Sequence, residues 1–594
     1  MCGIVGYIGP KNTGDVLLNG LKRLDYRGYD SAGVAVSKDG KIYLQKKKGR
    51  IEDLSKKDIP TGSSGIGHTR WATHGKPSDH NAHPFLDCTK EIAIVHNGII
   101  DNFNSFKEDL INKGHEFNSE TDSEVIVHLL EENYDGDFLE AFKKTVTKIN
   151  GSYAILALHK DSNEVLVTRK QSPMVLGIGD HENFIASDAP ALLDYTKNVK
   201  YLRDGDIARI TPDNIDIWNK NNELIERKTK KIEWDAEDAE KGGYEHFMLK
   251  EIFEQPKAIH ESILGRLTDF DELDFSRYNL DAVQFIACGT SAHAGFVGKY
   301  IFERVAKIPC TLEFSSEYRH SSPSDSYPLT ILLSQSGETL DTIAAAREAN
   351  RRGNDTLAIT NVLDSSITRE VDEVLYTHAG PEIGVAATKT FTTQVIMLYL
   401  LAIEMGIERN VLSKDQADNY RDELRRLPRK VESILNDKEK IRGITERLSK
   451  ADDIFFVGRN INYPVALEGA LKLKEIAYIH AAGYPAGELK HGPFALLTEN
   501  TPVIAIAVKD ETFEKMLGNI GEIAARDSPV IVVGDRDKEL EKLADDAYFI
   551  PQVSPLFSPL LVNVVLQLIS YYTAYRLDRD IDKPRNLAKS VTVE

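Results

Sequence analysis

Two rhythms of apolar and polar residues divide the 594-residue chain. Up to about residue 220, apolar runs are short, alternate with small or polar positions, and end in glycine-rich turns. Ser31–Val36, Glu91–Val95 and Ser152–Leu158 are examples. The pattern predicts strands with few long helices, an α+β or layered β-rich half. From Glu226 to Lys241 the chain is dominated by charge and then reaches Gly242-Gly243, which predicts an exposed linker.

Beyond that point strands alternate with helices, and the pattern repeats. Val283–Ser291 resembles Ile454–Asn460, and Leu329–Thr339 resembles Pro502–Thr512. Each is an apolar strand running into a small or polar turn and then a helix, the unit of a parallel α/β sheet. The expected division is 2–225, a linker at 226–247, two sister domains at 248–430 and 431–580, and a tail at 581–594. Ala547–Tyr575 contains no charged residue, but Pro551, Pro555 and Pro559 break it up. It predicts a helix starting near Pro559 and buried in a core or subunit interface, not a membrane span. No basic segment leads into an apolar core at the N-terminus, so a cytoplasmic protein is expected.

Charge narrows the partners. Lys+Arg number 73 and Asp+Glu 92, a net −19, which argues against nucleic acid and anionic membrane surfaces. A small anionic substrate then needs a local positive site, such as helix N-termini and a few lysines. The 4 cysteines are too scattered for a disulfide framework, and none forms a CxxC, which speaks against a zinc site.

Cys2 follows Met1 directly. Removal of Met1 would leave a thiol and a free α-amine on one residue, a self-contained nucleophile and base, since such an amine titrates near about 7.7–8.0. A buried cysteine in an N-terminal strand is the plain alternative. Asn97 and Gly98 offer a side-chain amide and a backbone N–H for a tetrahedral oxyanion, or else a hairpin turn. Arg70 suits a carboxylate and Asp122 an ammonium. Thr121-x-x-Glu124 is also a capping-box pattern.

Cys2–Gly6, Tyr26–Gly33, His68–Gly75, His96–Ile100 and Thr121-Asp122 together resemble the N-terminal-nucleophile glutamine amidotransferases. The resemblance implies a layered α/β/β/α domain in which Cys2 attacks the glutamine side-chain amide. Asn97 and Gly98 would form the oxyanion hole, and Arg70, Thr73, His74 and Asp122 would hold glutamine. Trp71 resembles the family's gate for ammonia.

In the second half, Ser334-Gln335-Ser336-Gly337-Glu338-Thr339 sets hydroxyls and backbone N–H groups at a helix start, suiting a phosphate, although such turns are usually caps. Cys288–Ser291 forms a second such turn. Glu468, Lys472 and Glu475 fall on one helix face, by pattern alone a solvated ion-pair stripe. With Glu488–Pro493 and the tail Leu587–Glu594, these stretches resemble sugar isomerase (SIS) domains, here in tandem with doubly wound parallel sheets.

The combined resemblance implies amide-nitrogen transfer from L-glutamine to D-fructose 6-phosphate with ketose–aldose isomerisation. The products would be D-glucosamine 6-phosphate and L-glutamate, in the first step of amino-sugar biosynthesis. Ser334, Gln335, Ser336 and Thr339 would hold the phosphate, and Ser291, Val385, Lys472 and Ala588 would complete the sugar site. Lys589 would form a Schiff base, Glu475 would move the C1–C2 proton, and His491 would assist ring opening from the neighbouring subunit of a homodimer. No metal or organic cofactor is expected. Ala387 stands where the family has serine, and Ser316–Tyr318 and Asn361–Asp364 are variant loops. Two alternatives remain: a glutaminase serving another acceptor, which tandem SIS domains disfavour, and a sugar-phosphate sensor, which would not need Glu475, His491 and Lys589.

Overall fold

The computed structural model describes residues 2–71, 75–232, 240–268, 270–321 and 327–591. The chain forms two compact units, one of residues up to 239 joined by those from Ala588 onward, the other Glu240–Leu587.

The first unit is built on two antiparallel sheets. One has eight strands, ordered Lys230–Lys231, Asn198–Tyr201, Val175–Ile178, Asn183–Ala186, Gly3–Ile8, Ser64–Arg70, Ser31–Lys38 and Lys41–Lys48. The other has seven, with Ile92–Ile100 paired to Gly151–His159 near one edge. Alternation sorts the side chains of Ile92–Ile100. Ala93 and Val95 join Ile4, Ile66 and Ile185 between the sheets, whereas Ile92 and Ile94 face the helices carrying Leu110, Val127 and Phe142. Helix Thr13–Arg23 covers the outer face of the eight-stranded sheet. It comes so close that a Cβ on Gly65 would lie 2.7 Å from Thr13 Cγ2. The layers are therefore α/β/β/α.

The second unit contains two five-stranded parallel sheets with the same strand order. In the first, Cys310–Phe314, Val283–Ala287, Leu329–Ser334, Asp355–Thr360 and Glu373–Tyr376 lie side by side. In the second, His480–Pro485, Asp453–Gly458, Val503–Ala507, Val530–Gly534 and Asp546–Phe549 do so. The segments that resemble each other in sequence thus hold equivalent places. Both faces are covered: Phe285 and Leu333 point into the unit's main core, Ile286 and Leu332 to the side of helix Leu340–Arg351. That double burial is why these strands read as continuous apolar runs.

Helix Ser558–Arg576 starts beside Pro559 and is buried along its length, as the uncharged segment predicts. A Cβ on Gly469 would lie 2.7 Å from Leu566 Cδ1, so Gly469 lets helix Tyr463–Ala477 pack closely against it. Lys389–Glu408 and Pro555–Arg576 have the length and apolarity of membrane spans, and 89% and 100% of the respective windows are buried within the protein.

The structure shifts several expected boundaries. Lys230–Lys231 pairs with Asn198–Val199, and Arg227 Nη2 lies 2.7 Å from Asp206 Oδ1, so residues 226–232 belong to the first unit. Helix Lys414–Asn436, with its Ser413/Gln416 capping box, runs straight through the 430/431 boundary. The tail divides at Leu587/Ala588.

Candidate active site

Strand register assembles the first site. Gly3 pairs with Thr69, which brings Cys2 to the Arg70–Trp71 end of the neighbouring strand. The Trp71 backbone N–H donates to Cys2 Sγ at 3.1 Å, and the thiol reaches Trp71 O at 3.5 Å. Burial pushes the Cys2 thiol above its ordinary pKa, while the chain's N-terminal charge, the Trp71 N–H and Arg70 pull the other way. A thiol held protonated but partnered for its anion suits deprotonation during attack.

Asn97 and Gly98 are no hairpin turn. They lie inside strand Ile92–Ile100, opposite Ala154 and Tyr153. Gly98 has φ +123, and a Cβ there would sit 2.0 Å from Ser152 O, so only glycine fits. Asn97 Nδ2 donates to Cys2 O at 2.9 Å. His68, fully buried, fixes that orientation. Its Nε2 lies 3.0 Å from Asn97 Oδ1 and 3.1 Å from His96 O, two acceptors, so Nε2 carries the proton. Burial, then the Arg70 charge, lower the His68 pKa to about 3. The ring is therefore neutral and obliges Asn97 to present its NH2 toward Cys2. The roles assigned from the sequence omitted His68, although the His68–Gly75 motif contains it.

Arg70 is buried, its Nη2 donating to Gly75 O at 3.0 Å. Burial lowers its pKa, opposed by the charges of Cys2, Asp30 and Asp122. Asp122 Oδ2 accepts from the Ile100 backbone at 2.8 Å. The capping-box pattern is not realised at Thr121. Helix Glu124–Asn133 is preceded by Ser123 without a side-chain cap, and Glu124 instead accepts from the backbones of Asn118 and Ser119 at 2.8 and 2.7 Å. Trp71 stands edge-on to Tyr29, ring centroids 5.8 Å apart. Cys2, Arg70, Trp71, Asn97 and Asp122 thus converge. Thr73 and His74 lie outside the described residues.

The second site forms where strand order reverses. Strand Val283–Ala287 has Cys310–Phe314 on one side and Leu329–Ser334 on the other, and loops at such a switch point line a crevice. Cys288–Ser291 follows the former strand and Ser334–Thr339 the latter. Ser334 Oγ accepts from Gly337 N at 3.0 Å and lies 3.4 Å from Thr339 Oγ1, and Ser336 Oγ accepts from Glu338 N at 3.1 Å. Gly337 has φ +63, and a Cβ there would lie 2.0 Å from Ser365 Oγ. Glu338 fastens the loop by accepting from Ser366 N and Oγ at 2.8 and 2.7 Å. Gln335 O accepts from Asn361 N at 3.1 Å. Thr339 opens helix Leu340–Arg351.

The Glu468–Lys472–Glu475 face is no solvated stripe: Glu468 and Lys472 are completely buried. Lys472 Nζ lies 3.4 Å from Glu468 Oε1, 2.5 Å from Glu475 Oε2 and 3.0 Å from Thr290 Oγ1. Glu468 also meets Thr290 Oγ1 at 3.0 Å and His293 Nδ1 at 2.8 Å. Burial favours neutral Lys472, but Glu468 and Glu475 outweigh it and raise its pKa. The partner helix, Gly289–Val305, carries Ser291, whose Oγ accepts from Gln394 Nε2 at 3.0 Å. Ser291, Lys472 and Glu475 are therefore brought together. Thr290 and His293 went unrecognised because their partner Glu468 is remote in sequence.

Val385 is buried, its N–H donating to Asp582 O at 3.2 Å, and Asp582 also accepts from Phe247 N and Met248 N at 2.9 and 3.0 Å. His491 is exposed at the end of the 3-10 turn Ala486–His491. Ala588 and Lys589 are half-buried members of the first unit.

A part-buried thiol at position 2 of a layered α/β/β/α domain, joined to two α/β domains with a phosphate-type loop, defines a glutamine-dependent amidotransferase built on sugar-isomerase domains. A glutamine amidotransferase domain family matches residues 68–194, and the SIS domain family matches 278–404 and 447–577. The chain is 49% identical, over 100% of both chains, to the glutamine–fructose-6-phosphate aminotransferase (isomerizing) of Caldanaerobacter subterraneus subsp. tengcongensis. It is 50% identical to that of Methanosarcina mazei, again over 100% of both. Among solved structures, the C-terminal domain of the Francisella tularensis glucosamine-fructose-6-phosphate aminotransferase is 37% identical with TM-score 0.55, covering 58% of this chain and 99% of that one. The chain belongs to the glutamine–fructose-6-phosphate aminotransferase (isomerizing) family.

Proposed function

We infer that Cys2, with Met1 removed, attacks the glutamine amide while its own α-amine takes the thiol proton. Asn97 and Gly98 stabilise the oxyanion, Arg70 the α-carboxylate and Asp122 the α-ammonium, with Thr73 and His74 completing the pocket. The chain is an enzyme that transfers the amide nitrogen of L-glutamine to D-fructose 6-phosphate, forming D-glucosamine 6-phosphate and L-glutamate. Trp71 gates the ammonia on its way to the second site. There the Ser334–Thr339 loop binds the phosphate, Ser291, Val385, Lys472 and Ala588 frame the sugar, and Lys589 forms a Schiff base with the ketose carbonyl. Glu475 moves the proton between C1 and C2. His491 acts across a homodimer interface, a role its exposure permits. The protein works in the cytoplasm.

The observation that carries the glutaminase half is the fixed set of Cys2 Sγ, the Trp71 N–H at 3.1 Å and an Asn97 amide aimed by His68. The test is to mix the protein with glutamine and fructose 6-phosphate and assay glucosamine 6-phosphate. Cys2→Ala is expected to lose glutamine hydrolysis and keep fructose 6-phosphate binding. An active preparation whose intact mass retains Met1 refutes the base assignment.

A further inference from the structure

Cys88, His115, His128 and Glu131 converge although they come from three separate segments. Cys88 sits in the turn between strands Phe85–Leu86 and Ile92–Ile100, and His115 follows helix Phe103–Asn112. His128 and Glu131 lie one turn apart on helix Glu124–Asn133. Their nearest ligand atoms all fall within 4.8 Å of one another. Cys88 Sγ is 3.6 Å from His115 Nδ1 and 3.6 Å from His128 Nδ1. Glu131 Oε2 is 2.9 Å from the first nitrogen and 3.2 Å from the second.

These spacings suit a tetrahedral zinc ion. Zn–S near 2.3 Å and Zn–N near 2.0–2.1 Å set the S···N edges at about 3.6 Å and the N···O edges at about 3.3 Å. The two sulfur edges match, and the two oxygen edges need only to open slightly. Both imidazoles turn Nδ1 inward and Nε2 toward a carboxylate. His115 Nε2 lies 3.1 Å from Glu132 Oε1, and His128 Nε2 lies 3.9 Å from Glu124 Oε1. An outer carboxylate hydrogen bond of the kind His115 makes is characteristic of metal-bound histidines, whereas His128 Nε2 stands only at ion-pair distance from Glu124. The Cys88 backbone N–H also donates to Glu131 Oε2 at 3.2 Å, holding that carboxylate in place.

The geometry points to a structural zinc site formed by Cys88, His115, His128 and Glu131. Four protein ligands close the coordination sphere, so the ion braces the fold and takes no part in the amide chemistry. On binding, the Cys88 thiol gives up its proton to solvent and becomes the thiolate ligand. The sequence argument against zinc relied on CxxC spacing, whereas here the fold supplies the fourfold proximity. Helix Glu124–Asn133 follows directly on Asp122, so the clip would steady one wall of the glutamine pocket.

The test uses the full chain freed of metal by a chelator and titrated with cobalt(II), then zinc(II). A thiolate-to-cobalt charge-transfer band with tetrahedral visible bands is expected, displaced by one equivalent of zinc. Cys88→Ser is expected to lose the charge-transfer band, and because Cys88 is exposed this variant keeps its fold. Cys2→Ala is expected to keep the band, and Glu132→Ala to weaken zinc binding by about 10- to 100-fold. Absence of the band in the unmodified chain, or its survival in Cys88→Ser, overturns the assignment.

Discussion

Lys472→Met removes the only cation bonded to two buried or part-buried carboxylates among the contacts described for Glu468 and Glu475. Glu468 is wholly buried, so it either stays ionised without its partner or takes up a proton. An unpaired buried charge costs about 3–5 kcal/mol. Protonating a carboxyl of ordinary pKa near 4.3 at pH 7 costs about 3.7 kcal/mol, at 1.36 kcal/mol per unit. The two routes agree. The second unit, with about 350 residues, unfolds with an entropy near 0.7 kcal/mol per kelvin at about 2.1 cal/mol/K per residue. Its thermal midpoint should therefore fall by about 4–7 °C, read by calorimetry on the full chain. Lys472→Met combined with Glu468→Gln should recover most of the loss, since the fully buried carboxylate is then neutral and only the part-buried Glu475 loses its cation. A midpoint within 1 °C of the parent, or a double variant whose losses simply add, refutes the reasoning.

Trp71→Ala is expected to release glutamate faster than glucosamine 6-phosphate forms, and a product ratio that stays at unity removes Trp71 from ammonia transfer. Lys589→Arg should end glucosamine 6-phosphate formation and spare basal glutamine hydrolysis. Borohydride with fructose 6-phosphate should attach the sugar to Lys589, and normal synthesis by the variant excludes the Schiff base. His68, with its pKa lowered to about 3 by burial, and His83 and His96, lowered likewise, are neutral when folded. Their contribution is present above the unfolded value near 6.5 and is lost as pH falls toward 3, by up to about 1.4 kcal/mol per unit for each proton taken up. The first unit's thermal midpoint should fall below pH 6.5, and less steeply in His68→Gln. A flat profile between pH 7 and 5 counts against buried neutral histidines.

Residues in local motifs were legible before any coordinates. Cys2 and Arg70 stand at the ends of strands whose alternation is plain, and the repeat around Val283 and Ile454 announces twin parallel sheets. Features that depend on long-range pairing were not legible. Asn97-Gly98 reads as a hairpin until Gly151–His159 is seen beside it, because a strand and a turn differ there only in the partner. The Glu468 face reads as solvated because its cover, helix Gly289–Val305, lies more than a hundred and fifty residues earlier. Boundary 430/431 failed for a simpler reason: an amphipathic helix such as Lys414–Asn436 carries no mark of which neighbouring domain it serves.

The two parallel sheets share one strand order, yet their turns and helices differ. The first copy keeps Ser336 and Gly337 in its turn, where the second has Lys509 and Asp510, and Asp510 Oδ1 there accepts from Thr512 N at 2.7 Å. The second copy supplies instead the helix bearing Glu468, Lys472 and Glu475, which locks onto Thr290 and His293 of the first. A substitution on that helix is therefore felt at Thr290 and His293 in the other copy, so the two copies constrain each other's sequence along this seam.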